Sequence, residues 1–137
     1  GFAQRALDEA VRHVGSREQF GGPLSRLQAV RMRLADMACD VEAARLLVYR
    51  AARRADGADP DDASARDEIA RTAAMAKLVA TEAAQRVVDH AVQLHGGLGV
   101  TRGHAVARLY EEVRALRIYE GTSDVQRVLI ARGLGLD

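Results

Sequence analysis

From Leu27 to Val48 apolar residues recur at alternating spacings of three and four: Leu27, Val30, Leu34, Met37, Val41, Ala44 and Val48. A strand alternates its faces at every second residue, whereas a helix returns to one face about every 3.6 residues, so only a long α-helix gathers these side chains into one stripe. A stripe of that length has to be covered by other helices, as in an antiparallel bundle.

The remaining segments follow the same period. Phe2, Ala6 or Leu7, Ala10 or Val11, and Val14 mark one face of a first helix that Gly15 ends. Residues 16–24 read as a loop punctuated by Gly21, Gly22 and Pro23. The long helix is expected to begin at Ser25, which with Gln28 fits a capping box, and to fade near Arg54. In the turn from Asp56 to Asp62, Asp59 can cap the next helix, Pro60 suits its first position, and Asp61 and Asp62 favour the positive end of its dipole.

That third helix should run to about His95 with Ile69, Ala73, Ala76, Ala80, Ala83, Val87 and Leu94 inward, broken by Gly96, Gly97 and Gly99. A shorter helix covers His104 to Leu116, inward at Val106, Leu109, Val113 and Leu116. A last one begins at Thr122 or Ser123, where Ser123 and Gln126 repeat the capping-box pattern, and stops at Gly133. No segment reads as a strand. The expected fold is all-α, an up-and-down four-helix-type bundle with an extra short C-terminal helix, forming one domain over residues 1–137.

Composition narrows the function classes. Apolar residues at 48% and charged residues at 28% give the balance of a soluble globular protein. A net charge of +1 is too small for general binding to nucleic acid. Lysine occurs once, at Lys77, and the arginine bias carries no functional weight here. Cys39, the single cysteine, excludes an internal disulfide and a multi-cysteine metal site; on so periodic a helix it is expected to be a buried, inert thiol. The absence of a Glu-x-x-His pair argues against a di-iron bundle, so no metal is expected. No apolar run of roughly 18 residues suggests a membrane span, and no signal peptide is seen; a reducing cytoplasm fits. Helical periodicity already running at Phe2, without an initiating Met, points to a segment of something longer.

Three stretches depart from the bundle pattern: Arg17-Glu-Gln-Phe-Gly-Gly-Pro-Leu24 with Gln28, Gln93-Leu-His-Gly-Gly-Leu-Gly99, and Arg117-Ile-Tyr-Glu-Gly-Thr-Ser-Asp-Val-Gln126. In the third, a carboxylate at Glu120 squeezed among Ile118, Tyr119 and whatever packs over Gly121 would lose solvation, which raises its pKa toward a range useful for a base. Thr122 and Ser123 offer hydroxyls and an anion-friendly helix start. The plain alternative is a glutamate compensating a helix dipole. Arg17 can hold an anion such as a pyrophosphate or lie solvated on the surface, the glycines can be a simple helix stop, and His95 can complement a helix end.

Taken together, Arg117-Ile-Tyr-Glu-Gly-Thr-Ser-Asp-Val-Gln-Arg127 with Ile130-Ala-Arg132, and the Arg17 and Gln93 stretches in the same order and spacing, resemble the C-terminal helical domain of the acyl-CoA dehydrogenase family. Ala3-Gln-Arg-Ala-Leu-Asp-Glu-Ala10 is similar to that domain's opening helix, so the resemblance covers essentially the whole chain. It implies that Glu120 removes the α proton of an acyl-CoA thioester while a hydride leaves the β carbon for FAD. A thioester is a poor carbon acid, and such a base needs a dry site and close placement. The resemblance further implies that Gly121 lines the acyl-CoA site, and that Thr122 and Asp124 lie beside FAD. Arg17, Gln19, Phe20, Gln28, Gln93 and Gly97 would reach the FAD of a neighbouring subunit, within a homo-oligomer (dimer or tetramer) that passes electrons to an electron-transfer flavoprotein.

Two departures stand out. Tyr110-Glu-Glu112 replaces a frequent Arg-Asp pair, reversing a charge at Glu111. The family's N-terminal helical and β domains have no counterpart in the chain, so the chain alone is expected to be inactive. Two other readings keep the same fold: a non-catalytic oligomerisation module, and an acyl-CoA oxidase passing electrons to oxygen.

Overall fold

The computed structural model describes residues 1–59 and 61–136. The protein is all-α, as the periodicity requires: it is 80% helical, with five α-helices among the described residues. These are α1 (Phe2–Ser16), α2 (Gln28–Asp56), α3 (Ala63–His95), α4 (Ala105–Val113) and α5 (Ser123–Arg132). A two-stranded antiparallel ribbon, β1 (Glu18–Gln19) and β2 (Gly22–Pro23), lies between α1 and α2 where an irregular loop is expected. Gln19 pairs with Gly22 across Phe20 and Gly21, which both have positive φ, so the connection is a two-residue turn of the kind that matches strand twist.

Residues 1–42 with 83–114 form one compact unit, and residues 43–82 with 115–137 a second. In the first unit Ala6, Ala10 and Val14 of α1 are buried, as are Met37 and Val41 of α2 and Val106 and Val113 of α4. On α3 the pairs Ala83-Ala84 and Val87-Val88 are both buried. Adjacent helical residues point about 100° apart, so this half of α3 is covered over a broad arc, wider than the single stripe expected. In the second unit Ala44, Ala74 and Ala76 are buried, together with the polar side chains of Thr72, Ser123 and Gln126. Ala73, expected inward, is exposed because the buried arc passes on either side of it through Thr72 and Ala74. The ends of the α2 stripe, Leu27 and Val48, are also exposed.

Several local expectations yield to competing partners. Leu24–Arg26 forms a 3-10 turn, so α2 begins at Gln28 and Ser25 sits inside that turn rather than at a cap. Asp62, not Asp59, caps α3: its Oδ1 accepts from the Ser64 backbone N–H at 2.9 Å, while Asp59 accepts from Asp61 in a local turn. The expected placement of Pro60 lies outside the described residues. α4 ends at Val113, and Arg114–Arg117 tightens into a 3-10 turn. Cys39 is exposed rather than buried, because it lies off the Met37–Val41 stripe.

Candidate functional site

In the first unit the β1–β2 ribbon and the glycine-rich end of α3 border an open cleft of about 530 Å³. Arg17, Gln19, Gln93 and Gly97 line it together with His13, His95 and Gly96. This brings together four of the residues singled out from the sequence. An added Cβ would meet nothing within 4 Å at Gly96 or Gly97, so the backbone there is open to close approach. A guanidinium, two carboxamides and bare glycine backbone form a donor set suited to a pyrophosphate-type anion. Phe20 and Gln28 are not part of the cleft wall; Phe20 stands 85% exposed at the tip of the ribbon and Gln28 is exposed at the start of α2.

Two of the lining residues, His13 and His95, belong with His104 to a cluster of three imidazoles that the sequence reading did not bring together. His95 is buried and stacks on His13 with ring centroids 4.2 Å apart, and His104 meets His95 edge-on at 5.0 Å. His95 Nδ1–H donates to the Ala91 carbonyl at 2.7 Å. Burial pushes the His95 pKa down, as does the charge His104 would carry; the Ala91 hydrogen bond and Glu9 oppose this without reversing it. Desolvation likewise lowers His13, aided by His95, Arg17 and His104. His95 is thus biased to its neutral form, and it serves the end of α3 by hydrogen bonding rather than by the positive charge expected. His104 is itself the N-cap of α4, its Nδ1 accepting from the Val106 N–H at 3.4 Å.

The second unit holds Glu120. Among the described residues, Phe20 (φ 54°) and Glu120 (φ 53°) are the non-glycine residues with left-handed backbone, and each precedes a left-handed glycine, Gly21 (φ 85°) and Gly121 (φ 86°). Such a conformation costs about 1–3 kcal/mol in a residue with a side chain, and it persists only where neighbours enforce it. At Glu120 the neighbours are explicit. Lys77 Nζ donates to the Tyr119 carbonyl at 3.0 Å and makes a short hydrogen bond to the Gly121 carbonyl. Gln126 Nε2 donates to the Gly121 carbonyl at 3.2 Å and the Glu120 carbonyl at 3.4 Å. Glycine is favoured at 121 by its φ of 86°, and an added Cβ would sit 2.6 Å from that amide nitrogen, which would have to shift.

Glu82 anchors the two ends of this segment. Its Oε1 accepts from Arg117 Nε at 2.8 Å and from Ser123 Oγ at 2.7 Å. Burial works against charge on Glu82, but these hydrogen bonds and the nearby Arg117 and Arg127 charges outweigh it and hold its carboxyl below the usual carboxylate range. The capping box expected of Ser123 and Gln126 therefore does not form. Thr122 caps α5 instead, accepting from the Val125 N–H at 3.3 Å, because Glu82 has taken the Ser123 hydroxyl and the Glu120–Gly121 carbonyls have taken the Gln126 amide. Asp124 is exposed and paired with Arg127 at 2.9 Å.

Glu120 itself is exposed, as are Ile118 and Tyr119 at 56% and 52%. The squeeze expected from those two neighbours is not supplied by this chain. Lys77 and Glu82 were not singled out as site residues. The sequence signal for Lys77 was available: it is the one lysine in a chain whose other strong cations are all arginine.

No helix among the described residues is long and apolar enough to cross a membrane, and no group of metal-binding side chains is found among them.

The family model of the acyl-CoA dehydrogenase C-terminal domain matches residues 1–135. Over 134 residues the chain is 42% identical to the 3-(aryl)acrylate reductase of Clostridium sporogenes, covering 98% of this chain and 33% of that protein. It is 44% identical over 131 residues to the mitochondrial short-chain specific acyl-CoA dehydrogenase of Bos taurus, covering 96% of this chain and 30% of the relative. The solved structure of butyryl-CoA dehydrogenase from Megasphaera elsdenii superposes with a TM-score of 0.89 at 39% identity, over 97% of this chain and 33% of that one. The chain thus spans about a third of the length of the curated relatives it matches. With that family model matching residues 1–135, a span that takes in all five helices, the chain belongs to the acyl-CoA dehydrogenase family, as its C-terminal domain.

Proposed function

We propose that this chain is the part of an FAD-dependent acyl-CoA dehydrogenase that carries the catalytic base, Glu120. The observation that carries the reading is the enforced left-handed backbone at Glu120, a strained carboxylate position held by groups from α3 and α5. Strain of this kind concentrates where a side chain must be aimed rather than merely accommodated. In this reaction the Glu120 carboxylate takes the α proton of an acyl-CoA thioester. Bound FAD supplies the hydride acceptor for the β carbon. Gly121, without a side chain, lets the acyl group come close to the backbone. The exposure of Glu120 means that the dry surroundings a base of this type needs come from substrate, cofactor and parts of the parent protein outside this chain.

Arg17, Gln19, Gln93 and Gly97 hold the anionic half of FAD in this reading, with Arg17 on its pyrophosphate. Phe20 and Gln28 reach the cofactor only where it extends past the cleft. Thr122 and Asp124 lie beside it at the start of α5. The cofactor is shared between neighbouring subunits, so the parent is a homo-oligomer, a dimer or tetramer. Exposed Leu46, Val48, Tyr49, Val125 and Val128 supply apolar surface for such contacts. An electron-transfer flavoprotein or a similar acceptor, in the cytoplasm, completes the reaction.

In the full-length protein, Glu120→Gln should lower turnover of acyl-CoA by about two to four orders of magnitude with flavin still bound. Normal turnover in that variant would remove Glu120 from its role. Arg17→Met should weaken flavin retention about tenfold or more, read as flavin lost on dilution. A second reading is favoured by the identity to the 3-(aryl)acrylate reductase: the same carboxyl, protonated, delivers its proton to the α carbon of an unsaturated acyl compound. Assays in both directions, on saturated acyl-CoA and on an aryl acrylate with reduced flavin, separate the two.

A further inference from the structure

The segment from Arg117 to Ser123 is suspended from α3 by a small number of charged contacts. Its ends are fastened to one carboxylate, Glu82, through Arg117 at 2.8 Å and Ser123 at 2.7 Å. Its middle is gathered by one ammonium, Lys77, which donates to the Tyr119 and Gly121 carbonyls on either side of Glu120. The Tyr119 and Gly121 carbonyls converge on this one ammonium, and the two residues that join them, Glu120 and Gly121, both have positive φ. The ammonium offsets the repulsion between the carbonyl dipoles, and with it part of the strain at residue 120.

We propose that Lys77 is a positioning residue for Glu120: by pinning the carbonyls of Tyr119 and Gly121 it fixes the left-handed backbone that sets the direction of the Glu120 side chain. This rests on Glu120 being the base. Lys77 does not act on substrate. The choice of lysine follows from the geometry, because a compact ammonium can send several donors to converging carbonyls, whereas a planar guanidinium presents its donors in a fixed fork. Gln126 holds the Gly121 carbonyl as well, but from within α5, so it moves with the segment it secures. Lys77 belongs to α3, 42 and 44 residues away in sequence, and supplies the fixed reference.

The test uses the full-length flavoprotein with Lys77→Met and, as reference, Glu120→Gln, assayed on straight-chain acyl-CoA thioesters that the unmodified protein oxidises. A misdirected base slows proton abstraction without weakening thioester binding. Lys77→Met should therefore lower kcat about tenfold or more with KM within about threefold, and raise the kinetic isotope effect from α-deuterated substrate. Flavin content should be unchanged. A crystal structure of the variant should show residue 120 leaving the left-handed region. If kcat and the isotope effect match the unmodified protein while Glu120→Gln is inactive, or if residue 120 keeps its positive φ, the role assigned to Lys77 is overturned. If Glu120→Gln itself retains turnover, the base assignment falls first and the positioning role with it. Should Lys77→Met not assemble, Lys77→Leu, which likewise removes every donor, is judged by the same criteria.

Discussion

Glu82 and Arg117 meet at 2.8 Å, and the same Glu82 oxygen also accepts the Ser123 hydroxyl at 2.7 Å. One carboxylate on α3 therefore fixes where the Glu120 turn begins and where it ends, while Lys77 on the same helix fixes its middle. The turn from Ile118 to Thr122 lies outside the helices and is held by side chains of α3, with Gln126 of α5.

Replacing Glu82 by glutamine should loosen both ends. Losing a charge-assisted hydrogen bond in a half-buried site costs about 1–2 kcal/mol, and the partner left behind is the Arg117 guanidinium. The sign of the pH dependence is fixed by direction. The folded pKa of Glu82 lies below its ordinary value of 4.5, so its contribution is present above about 4.5 and is lost as pH falls through the folded value. Urea unfolding as a function of pH should show Glu82→Gln less stable at neutral pH, with the difference closing in acid. A constant difference down to low pH would show that its charge is irrelevant.

His13 and His95 shift stability in a different pH range. His95 and His13 have folded pKa values below their ordinary 6.5, so protons bind the unfolded chain more readily, and stability falls as pH drops below about 6.5 toward the folded values. Facing His95 are His13 and Glu9 of α1 and His104 at the start of α4, with Arg17 facing His13; Glu9 is itself paired with Arg5 at 2.6 Å and Arg12 at 2.5 Å. The melting temperature should decline from about pH 7.5 to about pH 5, and His95→Gln should flatten that decline. Identical slopes for the two proteins would mean that the cluster does not contribute.

Gly121→Ala should combine two costs. Its φ of 86° is strained for any residue with a side chain, and the new Cβ would sit 2.6 Å from the Gln126 amide. The expected loss is about 1–2 kcal/mol from the backbone alone, with turnover of the full-length protein reduced about tenfold or more as Glu120 shifts. Gly21→Ala is the control. Its φ of 85° carries a similar backbone cost, but nothing lies within 4 Å of the added Cβ and the turn is remote in sequence from Glu120, so stability should fall while proton abstraction from bound substrate does not.

Phe20→Asn should move stability and function in opposite directions. Asparagine suits the first position of a Phe20-Gly21 type turn far better than phenylalanine does, so thermal denaturation should show a gain of a few tenths of a kcal/mol. If the 85% exposed ring contacts cofactor in the assembled protein, flavin retention should weaken in the same variant. Unchanged flavin retention would assign Phe20 no part in binding.

The helices were legible because their causes are local. Three-and-four spacing from Leu27 to Val48, the glycines after His95 and the aspartates before α3 each act on their own few residues, and α2, α3 and their breaks follow from them. The local patterns failed where a distant partner offered more. Ser123 and Gln126 have the right spacing for a capping box, yet Glu82 lies 41 residues away and takes the serine, and the glutamine turns to the carbonyls of Glu120 and Gly121. Cys39 was expected to be buried from the strength of its helix, but burial depends on which arc of that helix meets a neighbour.

Motif resemblance marked Glu120, Arg17, Gln19, Gln93 and Gly97 from the sequence, and folding gathers the last four into one cleft. Helix positions and the identity of the family were thus written in short-range order along the chain. The shape of the Glu120 turn was not, because besides the nearby Gln126 it depends on Lys77 and Glu82, whose contacts close loops of 35 to 44 residues. Contacts of that separation exist only once the helices have packed, since no periodicity in a sequence records which side chain will find which carbonyl across a tertiary interface.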